Sequence, residues 1–174
     1  MVTFSDDDFL VGSGVGAKRA IDVAKGILRE KQSGNLPQDF KFHFQARIAD
    51  VIFKRQLNTE LLDSLAEAGC IGFSVGVETF SEKLLKSPSI NKVGITVKDC
   101  RWVLDAMLER GLVPQINVIL GAPETNVEDL VETIMAAAEY VEKGADIALV
   151  TRVEVYPGAP LAKNPDYPYH NRIW

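Results

Sequence analysis

Runs of period two and runs of period 3.6 alternate along this chain, and no other feature restricts its fold so strongly. Strands are expected at Val2 to Ser5, Phe40 to Ala46, Ile71 to Val77, Val113 to Leu120 and Ile147 to Val155. Amphipathic helices are expected over 17–32, 59–68, 96–110 and 126–143, with a short helical turn over 80–86. The first carries Ala20, Ile21, Ala24, Ile27 and Leu28 on one face and closes at Ser33-Gly34-Asn35. Asn58 caps the second and Gly69 stops it. Thr96 and Asp99 have the spacing of a capping box, and Asn126 or Thr125 caps the last helix. Strands separated by single helices call for right-handed crossovers and hence a parallel sheet.

Two architectures meet that description, a doubly wound sheet and a barrel. Phe40, Phe42, Phe44 and Ala46 share one face of the second strand, while Lys41, His43 and Gln45 share the other. A strand covered by helices on both faces would be apolar throughout. Asn117, in the middle of an apolar strand, also needs hydrogen-bond partners that a dry core lacks. The expected fold class is therefore α/β, a partial TIM-like barrel whose lumen holds a ligand. It should occupy residues 1–161, with a Pro- and Tyr-rich extended tail over 162–174.

Charge and cysteine usage narrow the partners. A net charge of −5 over 174 residues, without clustered Lys and Arg, argues against a general nucleic-acid surface. No apolar run approaches the ~20 residues that span a bilayer, and the first residues do not resemble a signal peptide, so no membrane partner and a cytoplasmic setting are expected. Cys70 and Cys100 have neither disulfide nor metal-ligand spacing and are expected to be inert core thiols.

In strand-helix folds the carboxyl ends of the strands carry the chemistry. The first strand ends in Asp6-Asp7-Asp8, a solvated acidic turn or a site for an amine or metal. Arg47 ends the second, able to clamp a carboxylate or to pair with Asp50 or the first-strand acids. The third places Ser74, Gly76 and Glu78 on one face, a glycine beside a carboxylate, with Glu78 alternatively capping the turn that follows. The fourth aligns Gln115, Asn117, Ile119 and Gly121 and runs into Ala122-Pro123-Glu124. Gly12-Ser13-Gly14-Val15-Gly16-Ala17 satisfies a dinucleotide fingerprint but follows Asp8 rather than abutting the strand, and a lone match is weak. A lone histidine such as His43 is more often structural than catalytic.

Taken in order, Phe4-x-Asp-Asp-x-Phe9, Ala46-Arg47-Ile48-Ala49-Asp50, Gly76-Val77-Glu78-Thr79, Ile119 to Thr125 and Tyr156-Pro157-Gly158-Ala159-Pro160 resemble the radical S-adenosylmethionine superfamily. The branch often joined to cobalamin-binding domains is the nearest match. The resemblance covers nearly the whole chain. It implies a partial (βα)6 barrel in which a [4Fe–4S] cluster reduces S-adenosylmethionine and the resulting 5′-deoxyadenosyl radical attacks a small-molecule or unknown substrate. The five parallel strands would be the family's second to sixth, with the first missing. By position Glu78 and Asn117 would hold the ribose hydroxyls. Asp6, Asp7, Arg47 and Lys92 would surround the methionyl group or the substrate. Residues 117–124 resemble the family's Gly-x-Ile-x-Gly-x-x-Glu stretch on the adenine side, with Asn117 replacing its first glycine and Gly121 matching its second.

The family's Cys-x-x-x-Cys-x-x-Cys is absent from the sequence, so cluster ligands would have to lie outside it. The expectation is a piece of a longer oxidoreductase or transferase, inactive alone, whose missing N-terminal part is a partner and whose full length also draws on cobalamin. An open barrel edge would favour a dimer. The competing readings are a cluster-less metabolite-binding or scaffold barrel, and a metal-assisted enzyme with Asp6, Asp7 and Glu78 as oxygen ligands.

Overall fold

A computed structural model of the protein describes residues 1–6, 8–11, 14–152, 158 and 160–163. β1 (Val2–Thr3) leads into α1 (Val15–Gln32), which buries Ala17, Ala20, Ile21, Ala24 and Ile27 at helical spacing. β2 (Phe42–Arg47) is followed by the one-turn helix α2 (Ile48–Val51) and a hairpin of β3 (Ile52–Phe53) with β4 (Gln56–Leu57). Next come α3 (Thr59–Ala68), β5 (Cys70–Glu78), the short α4 (Glu82–Leu85) and α5 (Val97–Leu108). β6 (Val113–Leu120), α6 (Val127–Glu142), β7 (Asp146–Arg152) and a 3-10 turn at Pro160–Lys163 follow.

Caps set the boundaries. Asn58 accepts from the Leu61 amide at 3.1 Å, and Gly69 ends α3 at φ 96, a conformation that favours glycine. Thr96 and Asp99 bond reciprocally as a capping box, and Asn126 does the same with Asp129, which settles the choice between Asn126 and Thr125. α2 and its hairpin went unread in the sequence. Lys54 and Arg55 turn that hairpin at φ 50 and 64, without the Asn-Gly signal that usually marks two left-handed residues. The first strand stops at Thr3 rather than Ser5, and the second starts at Phe42 rather than Phe40. Of the expected tail, Ala162 and Lys163 finish the 3-10 turn; the rest, like residues 153–155 of the last expected strand, lies outside the described residues.

Five strands form one parallel sheet in the order β1-β2-β5-β6-β7. Doubly wound sheets reverse their strand order at a switch point. Here each strand lies beside its sheet predecessor in the chain, so successive right-handed crossovers put every connecting helix on the same side. That is the arrangement of a barrel wall, and the chain is a partial TIM-like barrel.

The helix-facing side is the core. Phe42, Phe44, Phe73, Val75 and Ile116 are fully buried, as are Leu61, Leu62, Leu104 and Met107. The Phe44 and Phe73 rings stack at 4.7 Å, and Phe9 reaches Phe44 at the same distance. Each such phenylalanine contributes about 2–3 kcal/mol of burial. Along β2 the alternation is complete: Phe42, Phe44 and Ala46 are buried, while Gln45 and Arg47 are exposed and His43 is half-buried. The polar face read from the sequence is thus the lumen face.

Candidate functional site

Polar side chains occupy the lumen face in tiers. In the lower tier His43 Nε2 lies 2.8 Å from Gln115 Oε1, and Ser74 Oγ donates to the same oxygen at 3.0 Å. Because a carboxamide oxygen only accepts, His43 donates from Nε2. β2, β5 and β6 are thereby stitched together in mid-lumen, and His43 is a satisfied structural residue. The sequence did not reveal this triad; its only trace is the placement of three polar residues on lumen-facing positions.

One step nearer the carboxyl ends, Arg47, Gly76 and Asn117 lie in register on β2, β5 and β6. Asn117 is half-buried, and no side chain among the described residues hydrogen-bonds its carboxamide. Glu78 follows at the end of β5, where the ladder shifts register between Gly76 and Glu78. Its backbone is left-handed, φ 68, and its Oε1 is 3.0 Å from Lys92 Nζ. Lys92 also donates to the Gly76 carbonyl at 3.1 Å, so one ammonium holds two points of the strand end. The turn after it is capped by Ser81, which accepts from Leu84, and not by Glu78.

Arg47 is held from two sides. Its Nε is 2.7 Å from Asp8 Oδ2 and 2.8 Å from Asp50 Oδ2, and its Nη2 donates to Asp50 Oδ1 at 3.1 Å. Burial and the neighbouring Asp50 carboxylate push Asp8 above its ordinary range, against the pull of Arg47. Asp6 stands apart, half-exposed and 3.9 Å from Arg19 Nη2. Asp7 lies outside the described residues. Gly121 turns the chain out of β6 at φ 73, and beyond it Glu124 accepts from Ser89 at 3.1 Å, which ties the loop after β6 to the loop that carries Lys92.

A cleft of about 350 Å³ opens at this end of the sheet, between Arg47, Ile48 and Ala49 on one side and Ile90 to Val93 with Ile95 on the other, with Gly76 among its lining. Glu78 and Asn117 stand beside this cleft rather than in its wall. A Cβ on Gly76 would lie 2.3 Å from Glu78 Oε1, so the glycine keeps the carboxylate close against the strand. At the start of α1, a Cβ on Gly16 would meet the Leu10 carbonyl at 2.2 Å, which gives this member of the glycine run a packing role; Gly12 and Ser13 lie outside the described residues.

Cys100 stands in the wall of this cleft, and Cys70 lies at the opposite end of β5. Cys70 opens β5 and Cys100 lies on α5; both are buried, and burial pushes each up to about 12, so neither is a thiolate at neutral pH. Among the described residues no three His, Cys, Asp or Glu side chains gather as a metal-binding group. These residues do not fit a [4Fe–4S] cluster, which takes thiolate ligands. No helix among them is long and apolar enough to cross a membrane.

Fold and site together define a partial α/β barrel with polar groups gathered in the lumen and at the carboxyl ends of parallel strands. Solved structures that share this fold include radical S-adenosylmethionine enzymes. The chain is similar to the methyltransferase TsrM from Kitasatospora setae, solved with tryptophan substrate and an S-adenosylmethionine analogue, at 19% identity and TM-score 0.62 over 80% of this chain and 25% of that one. It is also similar to OxsB, a cobalamin-dependent S-adenosylmethionine radical enzyme, at 25% identity and TM-score 0.61 over 76% of this chain and 18% of that one. Escherichia coli HemN, a coproporphyrinogen III oxidase described as a radical SAM enzyme, aligns at 21% identity and TM-score 0.57 over 82% and 29%. No protein-family model matches the chain, and no curated protein does. The likenesses give it the radical S-adenosylmethionine fold and support a relationship to that superfamily. The chain spans about a quarter of the TsrM chain and less than a fifth of the OxsB chain.

Proposed function

We propose that this chain is the nucleoside-holding wall of a radical S-adenosylmethionine enzyme. The observation that carries the reading is the alignment of Gly76 with Asn117 across β5 and β6, with Glu78 one step beyond, in a fold shared with enzymes of that class. Asn117 has a carboxamide open to a ligand, and Glu78 presents a carboxylate whose other oxygen can accept from ribose hydroxyls. Gly76 lets a ligand approach the backbone between them. Gly121 would sit on the adenine side; Asp6, which stands apart beside Arg19, would reach the methionyl amine only on the outer side of the site, and Asp7 lies outside the described residues. Arg47 is engaged by two carboxylates, so its role in this reading is to fix the strand end, with Lys92 positioning Glu78. Thiolates for a [4Fe–4S] cluster, and any cobalamin, would have to come from outside the described residues, and the cluster would supply the reducing electron.

Calorimetry with S-adenosylmethionine on this chain is expected to give weak binding, with Kd above about 100 μM, because the methionyl group lacks its iron anchor. Micromolar affinity without iron would instead support a cluster-less binding barrel. The gene product, expressed with any upstream in-frame residues and reconstituted with iron and sulfide, should release 5′-deoxyadenosine under reducing conditions. Glu78→Ala and Asn117→Ala should each weaken its S-adenosylmethionine binding about tenfold, the worth of one lost hydrogen bond. Unchanged affinity in both variants would sink the assignment of the ribose wall.

A further inference from the structure

α6 presents two apolar faces, and the barrel uses one. Thr133, Ala136, Ala137 and Tyr140 are buried against the domain. Val127, Val131, Ile134, Ala138 and Val141 follow one another at intervals of four, three, four and three residues on the other side, and all five are exposed. The larger four are 69%, 53%, 54% and 47% accessible. This spacing is that of a coiled-coil seam. On its sheet side the seam meets an apolar groove of about 220 Å³ between α6 and the outer face of β6 and β7, lined by Ile134, Val141, Val118, Leu120, Ile147 and Val150. Along its solvent side stand Glu128, Glu132 and Glu142, exposed and without an ion-pair partner among the described residues.

We propose that seam and groove form a docking site for one helix of a partner, with apolar residues at heptad spacing and lysines or arginines along one flank. Charge selects this occupant. Antiparallel pairing of α6 with a second copy would set Glu128 against the copy's Glu142 at both ends of the seam, and like charges placed so cost affinity. A basic flank meets the same three carboxylates with opposite sign, while the apolar residues fill the groove beside Val150.

The test uses the full chain and three labelled synthetic peptides of three heptads each, followed by fluorescence anisotropy. One has leucine at the seam positions and lysine on the flanks; the second carries glutamate on the flanks; the third has the composition of the first with its seam scrambled. The first should bind at least about tenfold tighter than the other two, a difference of ~1.4 kcal/mol. The double variant V131D/I134D, altered only at exposed positions, should lose that binding, and E128K/E132K/E142K should transfer the preference to the glutamate peptide. Absence of binding, equal binding of the scrambled peptide, or a dimer in sedimentation that V131D/I134D dissolves would each overturn the proposal.

Discussion

Lys92 reaches back from its loop to place Nζ 3.0 Å from Glu78 Oε1 and 3.1 Å from the Gly76 carbonyl. The residue it holds, Glu78, has a left-handed backbone at φ 68, which costs a residue with a Cβ about 1 kcal/mol and persists only where the surroundings enforce it. Glu78→Gly should therefore be more stable than Glu78→Ala by about 1 kcal/mol, although both lose the same ion pair. Lys92→Met should cost about 1–2 kcal/mol, because it strips a mostly buried carboxylate and a carbonyl of their donor. Urea unfolding of the three variants checks both; equal midpoints for Glu78→Ala and Glu78→Gly would show that the backbone there is unstrained.

Gly72 and Gly111 separate two costs of adding one methyl group. At Gly72, itself at a positive φ of 143, a Cβ would in addition stand 1.9 Å from the Val113 carbonyl oxygen, so alanine must force β5 and β6 apart. At Gly111 nothing lies within 4 Å, and alanine meets only the strain of φ 70. Gly111→Ala should cost about 1 kcal/mol, and Gly72→Ala about 3 kcal/mol or more. Thermal melts compare them directly, and a Gly72→Ala protein as stable as Gly111→Ala would contradict the close approach of the two strands.

Asp129 makes stability fall in acid. Burial alone would raise its carboxyl, but Lys83, the Asn126 amide and the Ser81 hydroxyl outweigh that effect and hold it at about 2, below its ordinary 3.8. A carboxyl depressed in the folded state stabilises fully above its unfolded value and loses that contribution as pH falls through the folded one. The stability gap between the native protein and Asp129→Asn should be widest at neutral pH and should narrow between about pH 4 and pH 2. Urea midpoints measured at pH 6 and pH 2.5 give the comparison; a gap independent of pH would mean that the carboxylate is not what the Asn126 cap and Lys83 engage.

Both thiols should resist alkylation in the native protein. With each pushed to about 12 by burial, the thiolate fraction at pH 8 is on the order of one in ten thousand, and both side chains are buried. Iodoacetamide followed by mass spectrometry should show no labelling after an hour, and two labels once the chain is unfolded in urea. Rapid native labelling at either position would reopen it as a ligand.

The barrel was legible because its signals are local. Period-two and period-3.6 runs, the Asn58 and Thr96 caps and the stop at Gly69 depend on residues a few positions apart, and the polar face of β2 already pointed to a lumen. The hairpin at Ile52 to Leu57 was not legible, since Lys54 and Arg55 adopt left-handed geometry under tertiary constraint and not by preference. At the strand ends, residue types could be named but not their partners. Lys92 lies fourteen positions beyond Glu78, and Gln115 seventy-two beyond His43, so their pairing is fixed only by the parallel register. Arg47 illustrates the same limit: ligand clamp and structural link have one sequence signature, and only the fold shows Asp8 and Asp50 lying beside it.

A sheet whose spatial order repeats its chain order is a ribbon rolled one pleat at a time. Each strand needs only the strand laid down before it, so folding can advance by neighbouring crossovers with no long-range strand inserted late between two others. Loss of an end strand from such a ribbon would leave the inner ladders β2-β5 and β5-β6 paired as they are. The tier of His43, Ser74 and Gln115, which spans those two inner ladders, would stay closed.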